Sequence, residues 1–472
     1  MHNLYKGREL MLKQAAVKWI EQNHDSLKDI AGKIWENPEE SLQEKFACEL
    51  HKKYLKNQGF RIIEKNKIPT GFMAEYGKGR PILGILGEYD ALKNLSQAVS
   101  AERQVLKEGA PGHGCGHNLL GTGCLGAAAA VKDLMEKGGL HGTIRYYGCP
   151  AEEMLLGKVL MADAGIFDDL DACLTWHPSS MTMPWAGSLL ALYSAIFLFK
   201  GKSAHAGSAP HLGRSALDAV ELMNVGANYM REHVQEQNRI HYMIKNGGVE
   251  PNTVPAEASV WYNVRAPKKE IARETFRWLI QIARGAAMMT QTTLDEIKII
   301  SGCYEVLPNQ TLVKLIGKNM NEIGAPSYTD YDRAFAEKLS NGYDQSQKAK
   351  GLETNFIPLS FIDKHIHEGV EPPHDFGQSQ KASTDVGDVS WITPLAMFGV
   401  ATWPLGVVPH TWQAVAASGA NMGLCAMNYA AKVLATSLID LYTNPEVLTQ
   451  VKAEFSQAVG GKKYVSVFNE KF

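Results

Sequence analysis

In the first part of the chain, short unbroken apolar runs alternate with longer stretches of helical periodicity. Residues 81–87, 143–148 and 171–175 are runs of the first kind, the pattern of strands buried on both faces. Residues 121–136 and 157–164 lie between them and carry helical patterns. Strands alternating with helices predict an α/β domain with a mixed, mainly parallel sheet covered by helices on both faces. Upstream, apolar positions recur at helical spacing over 9–35, and Pro38 stops that helix. Ser41-Leu-Gln-Glu44 has the spacing of a capping box and predicts the start of another. On this reading Glu39 and Glu40 are a solvated helix boundary.

From residue 187 the pattern changes. A strand (189–199), a helix (215–233), two strands (239–245 and 258–265), a helix (269–290) and a strand (293–301) follow in order. This β-α-β-β-α-β sequence is the ferredoxin-like split βαβ unit. It predicts a lid or dimerisation domain at 188–302, inserted between two parts of a catalytic domain at 1–187 and 303–472. Residues 331–382 show weak periodicity and contain His365, His367 and His374, which reads as either a lid or a mobile surface loop, the loop being the reading favoured for the three histidines. A small-residue helix is expected over 418–442.

Composition narrows the function classes. The 472 residues exceed one ordinary core. A net charge of −2 gives no electrostatic argument for nucleic acid or an anionic membrane. No unbroken run of about 18 apolar residues predicts a membrane span, and the first residues lack the apolar core of a secretory signal. Seven scattered cysteines do not suggest a disulfide framework. They lead to the expectation of a reducing, cytoplasmic location.

The candidate chemistry gathers at strand ends. Residues 109–118 pack Cys115 between His113 and His117 in a glycine-rich stretch leading into a helix. A helix N-terminus there predicts stabilisation of the Cys115 thiolate. Glu88 and Asp90 follow the first apolar strand, Glu152 and Glu153 the second, and His177 the third. Open α/β sheets bind ligands at those ends, and four such segments converging on one edge point to a metal site. A cysteine hydrolase using Cys115 and His117 would leave the two glutamates unexplained. A structural zinc site lacks a closed cysteine-rich set. A non-catalytic subunit that kept the fold is the third alternative.

These residues resemble metallopeptidase family twenty, the dinuclear-metal amidohydrolases that include aminoacylases and carboxypeptidase G-like enzymes. The likeness rests on Trp-Glu-Asn-Pro-Glu-Glu (35–40), Gly-Glu-Tyr-Asp-Ala-Leu (87–92), His-Gly-Cys-Gly-His-Asn (113–118) and Pro-Ala-Glu-Glu (150–153). It continues through Leu-Thr-Trp-His-Pro (174–178), Ala-His-Ala-Gly-Ser-Ala-Pro-His-Leu-Gly (204–213), Ser-Thr-Asp-Val-Gly-Asp-Val-Ser-Trp (383–391) and His-Thr-Trp-Gln (410–413). The resemblance implies two divalent ions, Mn or Zn, with Cys115 bridging and His117, Glu153, His177 and His410 as further ligands. It implies Glu152 as general base and His205 as an oxyanion-stabilising residue acting in a neighbouring subunit. Asn252 and Arg265 stand where the family binds the substrate carboxylate, and Arg214 is a further candidate cation. The implied substrate is an N-acyl or N-aroyl amino acid, p-aminobenzoyl-glutamate first. The implied assembly is a homodimer or a heteromer with a related subunit. Met154-Leu155-Leu156 departs from the family's glycine-rich run after the paired glutamates, which bears on the acyl side of the substrate.

Overall fold

Burial on both faces is what the apolar runs demand, and the sheet supplies it. The computed structural model describes residues 2–64 and 68–472. The chain forms two compact units, one of Met1–Gly187, Leu307–Gln380 and Val389–Tyr464, the other of Ser188–Val306, Lys381–Asp388 and Val465–Phe472. In the first unit β1 (Arg61–Ile63), β2 (Phe72–Lys78), β3 (Ile82–Glu88), β4 (Gly142–Cys149), β5 (Ala172–Leu174), β6 (His177–Ser179) and β7 (Met183–Trp185) join a late strand, Leu395–Ala401. Their order is β1-β2-β4-β3-β5-(Leu395–Ala401)-β6, with β7 also pairing with the late strand. The pairs from β4 to β6 are parallel, while β1, β2 and β7 pair antiparallel. Every residue of β4 and of Leu395–Ala401 is buried. Glu88 lies opposite Cys149 in the β3/β4 register, so both strands end at the same level.

The helix His117–Glu136 lies close against this sheet because its first turns are small. A Cβ on Gly121 would stand 2.3 Å from the Glu88 carbonyl oxygen, and one on Gly123 2.9 Å from the Trp176 indole nitrogen. That close approach brings the N-terminus of the helix to the carboxyl end of β3. Asn421–Thr443 packs alongside. It is the one described helix long and apolar enough to cross a membrane, and 78% of its most apolar window is buried within the protein.

Several local expectations change. The helix expected over 9–35 is two, His2–Gln22 and His24–Glu36, broken where the Asn23 side chain donates to the Trp19 carbonyl at 2.8 Å. Ser41–Glu44 does not cap the next helix, Lys45–Asn57. Glu39 does, accepting from the amides of Phe46 and Ala47 at 2.9 and 3.1 Å. The helix expected over 418–442 begins earlier and divides into Trp412–Gly419 and Asn421–Thr443. The insertion at 331–382 contains two helices, Asp330–Ser340 and Gln345–Thr354, each opened by a capping box. His367 is not on a surface loop: it is 1% exposed, and its Nδ1 accepts from the Thr182 amide at 3.2 Å.

The second unit is a four-stranded antiparallel sheet in the order Arg239–Asn246, Glu257–Ala266, Ala191–Lys200, Thr293–Cys303. Helices Ala216–Met230 and Lys269–Thr290 pack on it. This is the ferredoxin-like arrangement. Along Glu257–Ala266, buried Ala258, Val260, Tyr262, Val264 and Ala266 alternate with more exposed positions, as one covered face requires. The last residues of the chain belong to this unit. Glu470 pairs with Lys269 and Arg273 at 2.6 and 3.1 Å.

Candidate metal centre and active site

The site grows from the ends of β3 and β4 and the start of the helix at His117. Gly116 supplies the left-handed turn before that helix, with φ of 73°. Two residues past β3, buried Asp90 organises three segments. Its Oδ1 lies 2.9 Å from His117 Nδ1, and its Oδ2 accepts from Ser41 Oγ at 2.8 Å and the Glu153 amide at 2.9 Å. A carboxylate on Nδ1 fixes the His117 tautomer and leaves the Nε2 lone pair for a cation. His177 is set the same way, its Nδ1 donating to the Pro178 carbonyl at 2.7 Å. Its Nε2 then faces Cys115 Sγ at 3.5 Å.

The glutamate pair lies in a tight turn just past β4. Glu152–Met154 is a single 3-10 turn between Ala151 and Leu155, both left-handed, with φ of 52° and 53°. Buried Glu44 holds its start, accepting from the Ala151 amide at 2.8 Å. The turn aims the two carboxylates differently. Glu153 Oε2 stands 3.3 Å from His410 Nε2, and Glu152 Oε2 stands 3.8 Å from His117 Nε2.

Two donor groups result, Cys115–His117–His177 and Cys115–Glu153–His410, the ligand atoms of each within 4.8 Å of one another. They share the Cys115 sulfur. His117 Nε2, Glu153 Oε1 and Glu88 Oε2 are buried and take no hydrogen bond among the described residues. Buried polar atoms left this way in one place are what a cation site requires. The thiolate, imidazole and carboxylate donors therefore fit divalent metal ions, which Cys115, His117, His177, Glu153 and His410 would hold.

The electrostatics point the same way. Burial, opposed by His117 and reinforced by Asp90 and Glu88, pushes the Glu153 carboxyl up to about 8. Burial and the His117 charge push His177 down to about 4. Burial works against a charged His117, but Cys115 and Asp90 beside it hold the imidazolium well above its usual range. The expected thiolate at Cys115 is not favoured by the fold alone. Burial and the Glu153 charge push its thiol up, outweighing the helix N-terminus, so a cation is needed to ionise it.

Residues 192–287 match the family model of the M20 peptidase dimerisation domain. Over 457 residues the chain is 38% identical to one subunit of p-aminobenzoyl-glutamate hydrolase from Escherichia coli strain K12, covering 94% of this chain and 95% of that protein. The chain belongs to the M20 family of metallopeptidases. It is accordingly a hydrolase. Human Xaa-Arg dipeptidase is 26% identical over 480 residues, spanning 97% of this chain and 94% of that one. The solved structure of a Bacillus subtilis protein, described as a dinuclear metal binding peptidase from the M20 family, shares the fold. It matches with a TM-score of 0.58 and 16% identity over 89% of this chain and 99% of its own.

Of the residues singled out by M20 resemblance, Cys115, His117, Glu152, Glu153, His177 and His410 come together in the first unit. His205, Arg214, Asn252 and Arg265 belong to the second. There His205 is exposed, its Nδ1 accepting from the amides of Gly207 and Ser208 at 3.2 and 3.1 Å. The exposed Asn252 accepts the Ala206 amide on its carbonyl at 2.8 Å. Arg214 is engaged by the Gln291 side chain at 2.8 Å and by the carbonyls of His211 and Gly213. Arg265 lies on the less buried face of Glu257–Ala266, and its Nε takes no hydrogen-bond partner among the described residues.

Sequence reasoning misses the residues that orient the donors. In the sequence Glu88 and Asp90 belong to the segments that converge on a metal site but neither has a role of its own, and Glu44 has the spacing of a helix cap. Lys158 lies in an ordinary helical pattern, yet its ammonium is buried 2.7 Å from Glu88 Oε1. Trp185 carries no sequence signal at all; its indole stacks beside His177 with ring centroids 5.8 Å apart.

Proposed function

We propose that the chain is a metal-dependent amidohydrolase that cleaves N-acyl or N-aroyl amino acids, with p-aminobenzoyl-glutamate as the first substrate to test. The observation that carries this is the pair of donor groups sharing Cys115, with the Glu152 carboxylate beside them. When bound, two divalent ions supply a water acidified towards neutrality and a Lewis acid for the amide carbonyl. Zinc suits the thiolate, and the M20 likeness also admits manganese.

The chain's own residues do the rest. Glu152 takes a proton from the attacking water at its carboxylate and returns it to the departing amine nitrogen. Glu153, tied through its amide to Asp90, stays a donor to the centre. His410 is exposed and sits in a left-handed conformation with φ of 65°, which leaves the site open on that side. The stacked indole of Trp185 gives a flat apolar surface next to His177, suited to an aromatic acyl group. In the second unit, Arg265 has a desolvated guanidinium with an unsatisfied Nε–H, which suits a substrate carboxylate. Asn252 stands beside the His205 loop as a second polar contact for that carboxylate, and Arg214 as a reserve cation. His205 acts on the oxyanion in a neighbouring subunit, of this chain or of a related one. That the 38%-identical relative is named as one subunit of its enzyme supports the latter form. Seven cysteines, none of them in a disulfide, support a reducing, cytoplasmic setting.

The test is a panel of p-aminobenzoyl-glutamate, its α-amide, benzoyl-amino acids and Xaa-Arg dipeptides on Mn- and Zn-loaded protein. The expected result is highest kcat/KM for an aroyl amino acid bearing a free α-carboxylate, with loss of that preference in Arg265→Ala. Indifference to the α-amide, or preference for the dipeptide, overturns this substrate class.

A further inference from the structure

Behind the metal donors lies an ion pair that the hydrolytic account does not use. Lys158, in the helix Gly157–Asp163, is fully buried. Its ammonium sits 2.7 Å from Glu88 Oε1, and both side chains are withdrawn from solvent, at 0% and 2% exposure. Burying two such charges is costly unless both are well engaged. Glu88 has a second oxygen to place. Its Oε2 is buried, takes no hydrogen bond, and lies 3.3 Å from His117 Nε2. That is the nitrogen that Asp90 leaves open for a cation. The ligand atoms of Glu88, His117 and Glu152 lie within 4.8 Å of one another. One carboxylate thus spans a fixed ammonium of the chain and the open face of a metal-ligating imidazole.

We propose that Glu88 is a sixth protein donor to the metal centre, joining the ion that His117 helps to hold, and that Lys158 is the positioning residue that limits it to one oxygen. This rests on the metal-dependent reading above. An ammonium hydrogen-bonded to Oε1 removes that oxygen from coordination and drains charge from the carboxylate. Glu88 then binds through Oε2 alone, as a weak donor, and a coordination position stays open for water or substrate. Removing the lysine frees both oxygens; removing the carboxylate removes the donor. The two substitutions therefore move the metal in opposite directions, which a purely structural ion pair does not do.

The experiment uses the full chain with Co(II) as probe. Affinity is read by competition with a chromophoric chelator, and coordination number by the strength of the visible d–d absorption, which rises as coordination number falls. Glu88→Gln is expected to weaken Co(II) binding by at least about tenfold and to intensify the absorption. Lys158→Met is expected to tighten binding and weaken the absorption, with Lys158→Arg close to wild type. The double variant Glu88→Gln/Lys158→Met is expected to match Glu88→Gln alone, because the lysine acts through the carboxylate. If the buried substitutions prevent folding, Glu88→Asp keeps the charge but draws the carboxylate back by one methylene, and an intensified spectrum is expected there too. An unchanged affinity and spectrum in Glu88→Gln or Glu88→Asp overturns the proposal, as does Lys158→Met moving both readouts the same way as Glu88→Gln. Wild-type protein that binds no Co(II) would instead overturn the metal-dependent reading itself.

Discussion

Glu152 and Glu153 are neighbours to which the proposed function gives different tasks, and the tight turn between Ala151 and Leu155 separates them. Glu152→Gln keeps the shape but removes a proton acceptor, so kcat should fall by about 10²–10⁴-fold with metal content intact. Glu153→Gln should lose metal first. Elemental analysis beside steady-state kinetics distinguishes the two, and reversed phenotypes would exchange the roles. Glu153 and His117 shape the pH response of the metal-free protein. Glu153 is raised from 4.5 to about 8 and His117 is held above its ordinary 6.5. From pH 6.5 to 8 these groups hold more protons folded than unfolded. Metal-free stability should therefore fall as pH rises through that window. His177, lowered to about 4, acts in the opposite sense only below 6.5. Thermal melts of chelator-treated protein check this, and a melting temperature that rises from pH 6.5 to 8 would contradict it. Divalent metal should bind more tightly at the upper end, because its ligands must first lose protons.

At the scale of elements, close packing decides where the donors stand. Gly121 lets the helix His117–Glu136 touch the end of β3, where an added Cβ would meet the Glu88 carbonyl oxygen at 2.3 Å. Gly121→Ala must push the helix or the strand aside, at a cost of ~1–3 kcal/mol. It should lower both the melting temperature and metal affinity, as calorimetry and metal titration can measure. The periodicity of the parallel core and of the ferredoxin-like unit is legible in the sequence because single faces or whole strands are buried there. What escapes is decided by side-chain bonds between distant segments. Glu44 stands three residues after Ser41, as in a capping box, yet it turns to Leu42, Thr70 and Ala151, and Glu39 takes over the cap. In the insertion, Thr329/Asp332 and Asp344/Gln347 are local signals. They are easily missed because the helices they open are short and polar. The donors themselves are visible as residue types at strand ends. The tasks of Asp90 and Lys158 are not, because what each does depends on contacts across the fold.

For the whole molecule, the proposal that His205 serves a neighbouring subunit predicts complementation. Mixing inactive Glu152→Gln and inactive His205→Ala chains, after dissociation and reassembly, should restore activity. No recovery despite verified exchange would place His205 in its own chain's chemistry or outside it. The central claim is narrower and can be measured directly: Cys115 joins two ions in one centre. Elemental analysis of metal-saturated, gel-filtered protein should find about two divalent ions per chain in the wild type, as two donor groups of this kind require, and clearly fewer in Cys115→Ala. A wild-type value near one that is unchanged by Cys115→Ala would contradict it.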